Sequence, residues 1–348
     1  MIKDDYLKPT ENTQSSLVYK GPWPYYIVSN ENNSKPNTFF FFSQPALDRI
    51  GRYDIKRKST AFLSLPPSRD KDSYKSITIV KSADMSEHYY LIIGSIFNAK
   101  GIGLYFYSID KLMDENYQPQ ERGRLNEDVK LIKLLRNPNI ISPVQMKPSK
   151  IKHDEFFLID EETNYFMKIN SQGHILKKID LPYNAPTVFQ LDKNEKKVFF
   201  RFAYSNHILH LDFEKSRIIK DMAVPLGFFS FLGGGGLLKD NSKLIISSLP
   251  NNSVHYIDQT DFRLIKSIEH PEGPKLIKKI RGRNLYAVLG YYSGIISIYS
   301  SYDDQLLYRT GLAKGLHDIW VAPDGSLYIS SKKGIHYLPK DLFLKDQK

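Results

Sequence analysis

A short apolar run recurs along this chain and limits the folds that it can adopt. Most of the seven runs are separated by roughly 40 to 50 residues, which is the spacing of blades in a β-propeller. Each run is too short for a buried helix and too continuous for a strand with one face in water, so it is typical of a strand buried on both faces. The runs lie at residues 39–42, 90–93, 156–159, 198–200, 244–246, 285–289 and 327–329.

Further strand patterns surround these runs and are separated by polar turns. Tyr and Phe, at 23 and 20 residues, favour strands over helices. The sequence therefore predicts an all-β fold, a seven-bladed β-propeller of four-stranded antiparallel blades. Two other blade counts stay open at this point. Merging two weak units gives six blades, and splitting the polar insertion at residues 111–128 gives eight.

The two ends of the chain indicate how the propeller is completed. The last repeat supplies three strand patterns, at 319–322, 327–330 and 334–338, while the first pattern, at 16–19, resembles an outer strand. We therefore expect the N-terminal strand to complete the last blade, which leaves no open sheet edge there. The predicted organisation is a polar tail at 1–15 and a single propeller domain at 16–344, with the insertion at 111–128 as a surface loop or a turn of helix.

Composition excludes several classes of function. The chain has no Cys, which excludes disulfides, thiolate metal sites and Cys nucleophiles. It has no apolar run long enough to cross a membrane, and residues 1–16 do not form a signal peptide. The absence of Cys favours an exported protein, periplasmic or at the surface, whose signal peptide has been removed, although a cytoplasmic location stays open. The net charge of +11 is spread along the chain without a groove-reading helix, so nucleic acid is not an expected partner.

Two repeats carry a resemblance to a known class of propellers. Residues 318–330 read DIWVAPDGSLYIS, and residues 157–160 with 175–179 follow a similar pattern. These segments resemble NHL- and YVTN-type propeller repeats. The class includes protein-binding scaffolds, lactonases and lyases, so the resemblance implies the fold and leaves the function open. The Trp-Asp pair of WD repeats is absent, a Gly-His pair occurs only once, at residues 173–174, and the other repeats lack the Asp-Gly pair.

Two connections between repeats contain the candidate functional residues. There is no phosphate-binding loop, zinc-protease motif or nucleophile elbow. His270 and Glu272 share one outer-to-inner connection, and His317 and Asp318 share the next. Such connections surround the mouth of a propeller channel, where these side chains could bind a divalent metal or act as an acid–base pair. The alternative is that they are ordinary polar loop residues.

A third loop of this kind is aromatic. It contains Trp23, Tyr25 and Tyr26, which would either form a wall for a ligand or pack the join between the chain ends.

These observations favour a monomeric, non-enzymatic propeller that binds a ligand or a protein or glycan partner and needs no cofactor. The alternative is a metal-dependent hydrolase or lyase, similar to a lactonase, with a divalent metal at the channel mouth. A third hypothesis is the binding of a polyanion by the basic surface, which salt would weaken.

Overall fold

The computed structural model describes residues 16–29, 38–66, 74–82, 88–95, 103–120, 123–224, 236–240, 242–270, 273–280 and 283–344. Within these ranges the chain contains 28 β-strands and three short 3₁₀ turns. The strands form seven four-stranded antiparallel sheets. The chain is thus a seven-bladed β-propeller, and the predicted fold class and blade count are confirmed.

Four blades lie in one compact unit, Pro22–Gly234. Blade 1 contains β2 (Ile27–Val28), β3 (Phe39–Gln44), β4 (Arg49–Asp54) and β5 (Ser59–Ser64). Blade 2 contains β6 (Tyr74–Lys81), β7 (Tyr89–Ser95), β8 (Leu104–Ser108) and β9 (Lys130–Leu135). Blade 3 contains β10 (Pro143–Pro148), β11 (Glu155–Asp160), β12 (Tyr165–Asn170) and β13 (Ile175–Asp180). Blade 4 contains β14 (Pro186–Leu191), β15 (Lys197–Phe202), β16 (His207–Asp212) and β17 (Arg217–Ala223).

Three blades lie in the other compact unit, Met1–Gly21 with Gly235–Lys348, which we call the C-terminal unit. Blade 5 contains β18 (Leu237–Asp240), β19 (Lys243–Ser248), β20 (Ser253–Asp258) and β21 (Leu264–Glu269). Blade 6 contains β22 (Pro274–Ile280), β23 (Leu285–Gly290), β24 (Ile295–Ser300) and β25 (Leu306–Gly311). Blade 7 contains β26 (Ile319–Val321), β27 (Leu327–Ser331), β28 (Gly334–Leu338) and β1 (Ser16–Lys20).

The seven apolar runs form the second strands of the blades. All six residues of β3, β11 and β23 are buried, so both faces of these strands are shielded from water. The fourth strands instead alternate between exposed and more buried positions, as β13 does, because only one of their faces is covered. Burial on both faces therefore explains why the second strands gave the strongest sequence pattern.

The polar insertion of blade 2 folds over blade 1. It begins with a 3₁₀ turn at Asp110–Met113 and later forms a parallel bridge between Arg124 and Phe62 of β5. The Phe62 amide donates to the Gly123 carbonyl at 2.9 Å, and the Leu125 amide donates to the Phe62 carbonyl at 2.8 Å. The insertion thus pairs with the outer strand of a neighbouring blade, which shortens an open sheet edge.

The N-terminal strand completes blade 7, as the sequence predicts. β1 pairs antiparallel with β28, and the register places Leu17 opposite His336 and Lys20 opposite Gly334. Gly334 has φ = 144°, and a Cβ built on it would lie 1.9 Å from the Tyr19 carbonyl oxygen. Because any side chain would meet this backbone, glycine is required for the close approach of the two strands.

We expect the pairing of β1 with β28 to be sensitive to acid because of His336. Burial, reinforced by the charge of Lys333, lowers the pKa of His336 from 6.5 to about 4. The unfolded chain then binds a proton that the folded chain excludes, so stability falls as pH decreases from 6.5 towards 4. The loss is roughly 2 kcal/mol, since water reaches part of the ring.

The variant His336→Gln can keep the hydrogen bond that joins the His336 Nε2 and the Ser331 Oγ, 2.9 Å apart, while it removes the titration. Urea unfolding at pH 7 and pH 4.5 should show a smaller acid-induced loss for this variant than for the native chain. An equal loss in both proteins would contradict the role of His336.

The strand arrangement does not test the predicted domain organisation. The tail at 1–15 lies outside the described residues, and the single domain at 16–344 stays a prediction. Among the described residues, no helix has the length and apolar character needed to cross a membrane.

Candidate functional site

The loop end of the C-terminal unit contains most of the candidate polar residues. We use this name for the end of blades 5 to 7 at which each first strand begins and each second strand ends. His270 lies between β21 and β22, and His317 and Asp318 lie between β25 and β26, as predicted. Glu272 lies outside the described residues. The structure therefore brings two histidines and one of the two predicted carboxylates to this end.

His270 is enclosed within the protein. Its side chain is fully buried, and its Nε2 lies 3.2 Å from the Ser297 Oγ. The Nε of Arg309 donates to the same hydroxyl at 3.0 Å, and the His270 amide donates to the Asn252 carbonyl at 2.6 Å. His270 thus links the blade 5 turn to strands of blade 6. This arrangement suits a histidine that stabilises packing.

His317 is held by a lysine and a tyrosine that the sequence analysis did not select. Its side chain is 6% exposed, and its ring lies edge-on to Tyr291 with centroids 5.3 Å apart. The Lys275 Nζ lies 2.9 Å from the His317 Nδ1. Because an ammonium group only donates, Nδ1 is the acceptor and the imidazole carries its proton on Nε2. His317 is therefore neutral, and its acceptor nitrogen is already engaged.

Asp318 has partners of its own. Its Oδ1 accepts from the Ile319 amide at 2.8 Å and lies 3.3 Å from the Lys278 Nζ. Its amide donates to the Ser330 Oγ at 2.9 Å. The carboxylate is buried and fixes the start of β26. His317 and Asp318 are adjacent in the sequence, yet they contact different lysines.

The predicted metal site depends on a group of ligands that the described residues do not form. In the ranges that the structure describes, no three His, Asp or Glu side chains are placed to hold a metal ion together. The described candidates already have partners. His270 contacts Ser297, His317 contacts Lys275, and Asp318 contacts Lys278. With Glu272 outside the described part of the chain, the metal and acid–base hypotheses stay predictions.

The ammonium groups of two lysines lie close to the ring of Tyr291. The Lys275 Nζ lies 4.6 Å from the ring centroid and the Lys332 Nζ lies 5.6 Å from it. Both distances lie within the range of a cation–π contact. Tyr292 lies edge-on to Tyr291 at 5.3 Å and is 47% exposed. We call Lys275, Tyr291, Tyr292, His317 and Lys332 the lysine–tyrosine cluster.

The aromatic residues of the predicted ligand wall lie in the Pro22–Gly234 unit. Tyr26 packs against the core of blades 1 and 2, and its hydroxyl donates to the Val144 carbonyl at 3.2 Å. The Tyr25 amide donates to the Ser43 carbonyl at 2.8 Å, and the two tyrosine rings meet edge-on at 5.0 Å. Trp23 is 37% exposed and has φ = 46°. These contacts suit a packing role for Tyr26, and the ligand wall stays a prediction.

A second titratable cluster lies on blade 4. The His207 Nδ1 is 2.7 Å from the Asp221 Oδ1 and 2.9 Å from the Tyr183 hydroxyl. The Tyr183 hydroxyl also donates to Asp221, and this hydrogen bond raises the pKa of Tyr183 to about 12. The tyrosine therefore remains a protonated donor at neutral pH. Sequence reasoning missed this cluster because its members are separated along the chain.

Comparisons with known proteins identify structures of the same fold. No protein-family model matches the chain. No curated protein matches it either. A streptogramin B lyase is 15% identical, with a TM-score of 0.67 over 93% of this chain and 97% of that chain. The virginiamycin B lyase from Staphylococcus aureus is 15% identical, with a TM-score of 0.65 over 93% and 98%.

A catalytically inactive variant of that Staphylococcus aureus enzyme with quinupristin is 14% identical, with a TM-score of 0.64 over 95% of this chain and 97% of that chain. At this identity the similarity shows the fold alone. The chain therefore shares the seven-bladed propeller of these lyases, and the fold-level resemblance expected from its repeats is confirmed.

Proposed function

We propose that this chain is a non-enzymatic binding propeller that presents the loop end of its C-terminal unit to a ligand or to a protein or glycan partner. The observation that carries the proposal is the engagement of the His317 Nδ1 by the Lys275 Nζ at 2.9 Å. An imidazole protonated on Nε2 has no other lone pair to accept a proton or to bind a metal. The cluster is thus arranged for contact rather than for proton transfer.

The composition of the cluster supports the same proposal. It combines an exposed ring, Tyr292, with the cationic heads of Lys275 and Lys332. Tyrosine provides a rigid apolar surface at a small entropic cost, and lysine provides donors and charge. Tyrosine in particular is enriched at binding surfaces. They leave the loop end able to recognise a partner without any chemical step.

The alternative function is a lyase or hydrolase. The fold shared with the streptogramin B lyases and a buried histidine at a blade connection favour it. In this alternative, Lys275 must leave His317 before the imidazole accepts a proton. Breaking the hydrogen bond between Lys275 and His317 costs free energy, and the binding function does not require that bond to break.

A turnover assay separates the two functions. We expect quinupristin to remain unchanged, as followed by liquid chromatography and mass spectrometry, when it is incubated with this chain and divalent cations or with a chelator. The virginiamycin B lyase from Staphylococcus aureus is the positive control. Consumption of quinupristin that His317→Ala abolishes would overturn the proposal.

A thermal-melt screen tests binding itself. Neutral and acidic saccharides, short peptides and divalent cations are added singly, because a ligand that binds only the folded state raises the melting temperature. We expect at least one saccharide or peptide to raise it, and Tyr291→Ala to remove the effect. Tyr302→Ala, which alters a residue in the turn at the opposite end of blade 6, should preserve it. If no compound raises the melting temperature, the proposal is wrong for these ligand classes.

A further inference from the structure

Two cationic side chains share one aromatic ring at the loop end of the C-terminal unit. The Lys275 and Lys332 ammonium groups lie 4.6 and 5.6 Å from the Tyr291 centroid. Like charges gathered at one place raise the local positive potential, and the low dielectric of the adjacent protein strengthens it. The imidazole of His317 adds no negative charge in either protonation state. This part of the surface therefore attracts an anion.

Asp318, the acidic residue that follows His317 in the sequence, pairs with another lysine. Its Oδ1 accepts from the Ile319 amide and lies 3.3 Å from the Lys278 Nζ. A carboxylate that is already bound by a backbone amide and by Lys278 is a poor counter-ion for Lys275 and Lys332. The negative charge of Asp318 is thus compensated mainly by Lys278 and by the backbone amide at the start of β26.

An aromatic platform adjoins the two lysines. The Tyr292 ring lies over Gly273, where an added Cβ would come within 2.5 Å of its Cδ2, and Gly273 has φ = 73°. The Gly273 amide donates to the Asn252 Oδ1 at 2.8 Å, and the Tyr291 amide donates to the Gly273 carbonyl at 2.8 Å. A glycine at this position brings the backbone against the ring and fixes the ring in place. The ring remains 47% exposed and is available for stacking.

We propose that the lysine–tyrosine cluster binds an acidic saccharide of the uronate type, in which a six-membered ring carries a carboxylate. The sugar ring lies on Tyr292, and the carboxylate accepts hydrogen bonds from Lys275 and Lys332. An aromatic ring suits the apolar face of a sugar, and charge-assisted hydrogen bonds suit its carboxylate. This inference rests on the proposed binding function and names its ligand class.

Isothermal titration calorimetry with glucuronate and glucose tests the inference, because the two sugars differ in the carboxylate. We expect glucose to bind at least tenfold more weakly than glucuronate, and Lys275→Met to weaken glucuronate binding about tenfold. Lys332→Met and Tyr292→Ala should each weaken it several-fold. Lys333→Met and Tyr302→Ala are the matched controls, and they should leave the dissociation constant unchanged. Higher salt should weaken binding, because it screens the lysines.

Three outcomes would overturn the inference. Equal binding of glucose and glucuronate would show that the carboxylate is not recognised. Equal binding of inorganic phosphate and glucuronate would show an anion site that does not use the sugar ring. An absence of glucuronate binding would reject the ligand class, and the proposed binding function would still stand if the thermal-melt screen finds another ligand. If the screen also finds none, both proposals fail.

Discussion

Replacement of Asp304 by asparagine is expected to lower the free energy of unfolding by about 3 kcal/mol, because it removes one partner of a largely buried ion pair. The Asp304 Oδ1 lies 2.6 Å from the Lys243 Nζ, and its Oδ2 lies 2.9 Å from the Lys266 Nζ. The Asp304 and Lys243 side chains are only 7% and 13% exposed, so the lysine left behind has little access to water. Urea unfolding at pH 7 measures the loss.

Asparagine is the appropriate replacement at this position. Asp304 has φ = 59°, a left-handed conformation that asparagine adopts more readily than alanine, so the variant changes charge without added backbone strain. The Tyr286 hydroxyl donates to the Asp304 Oδ1 at 3.3 Å. Desolvation raises the pKa of Tyr286, so this donor is protonated in the native chain and in the variant.

An exposed ion pair in the same unit provides the control. The Arg263 Nε lies 3.7 Å from the Asp261 Oδ2, and both side chains are more than half exposed. Exposed pairs contribute about 0–1 kcal/mol, so Asp261→Asn should have a much smaller effect than Asp304→Asn. A loss of similar size in the two variants would contradict the role of burial in the Asp304 network.

Removal of β1 should destabilise the chain by about 4 kcal/mol, since each hydrogen bond between paired strands contributes about 1 kcal/mol net and several are lost. The deletion of residues 1–20 removes every partner of β28 in the N-terminal strand, from Ser16 opposite Tyr337 to Lys20 opposite Gly334. It also leaves β28 as an open edge, which promotes association between chains. Thermal unfolding and light scattering measure the two effects.

Two further variants test whether the loss of stability comes from β1 itself. A chain shortened only by residues 1–15 keeps β1 and should unfold like the full chain. Gly334→Ala keeps every residue of β1 but places a Cβ against the Tyr19 carbonyl, 1.9 Å away before adjustment, so it should destabilise the chain as well. If the deletion of residues 1–20 leaves the melting temperature unchanged, β1 does not contribute to the stability of blade 7.

The second strands could be predicted because both of their faces are buried. A run such as residues 156–159 must be apolar at every position, and its repetition at the blade period fixes the fold. The completion of blade 7 followed from counting strands at the two ends of the chain. By contrast, the pairing of Arg124 with Phe62 had no signal, because a single parallel bridge across 62 residues follows no period.

The candidate site could be predicted only in part. The blade period places His270 and His317 in connections at one end, and the structure agrees. Residue type alone suggested metal ligands, yet the partners of an imidazole decide its chemistry. Lys275 lies 42 positions from His317, and no sequence rule indicates which lysine of a basic chain reaches a given histidine. Tyr291 and Tyr292 were missed because no motif or spacing rule connects them to His317.

The most direct test of the account is a crystal structure of the chain with glucuronate. We predict a carboxylate oxygen within about 3 Å of the Lys275 Nζ and the sugar ring stacked on Tyr292. Glucuronate bound at the opposite end of the blades, or bound at the loop end without contact to Lys275 and Tyr292, would contradict the account.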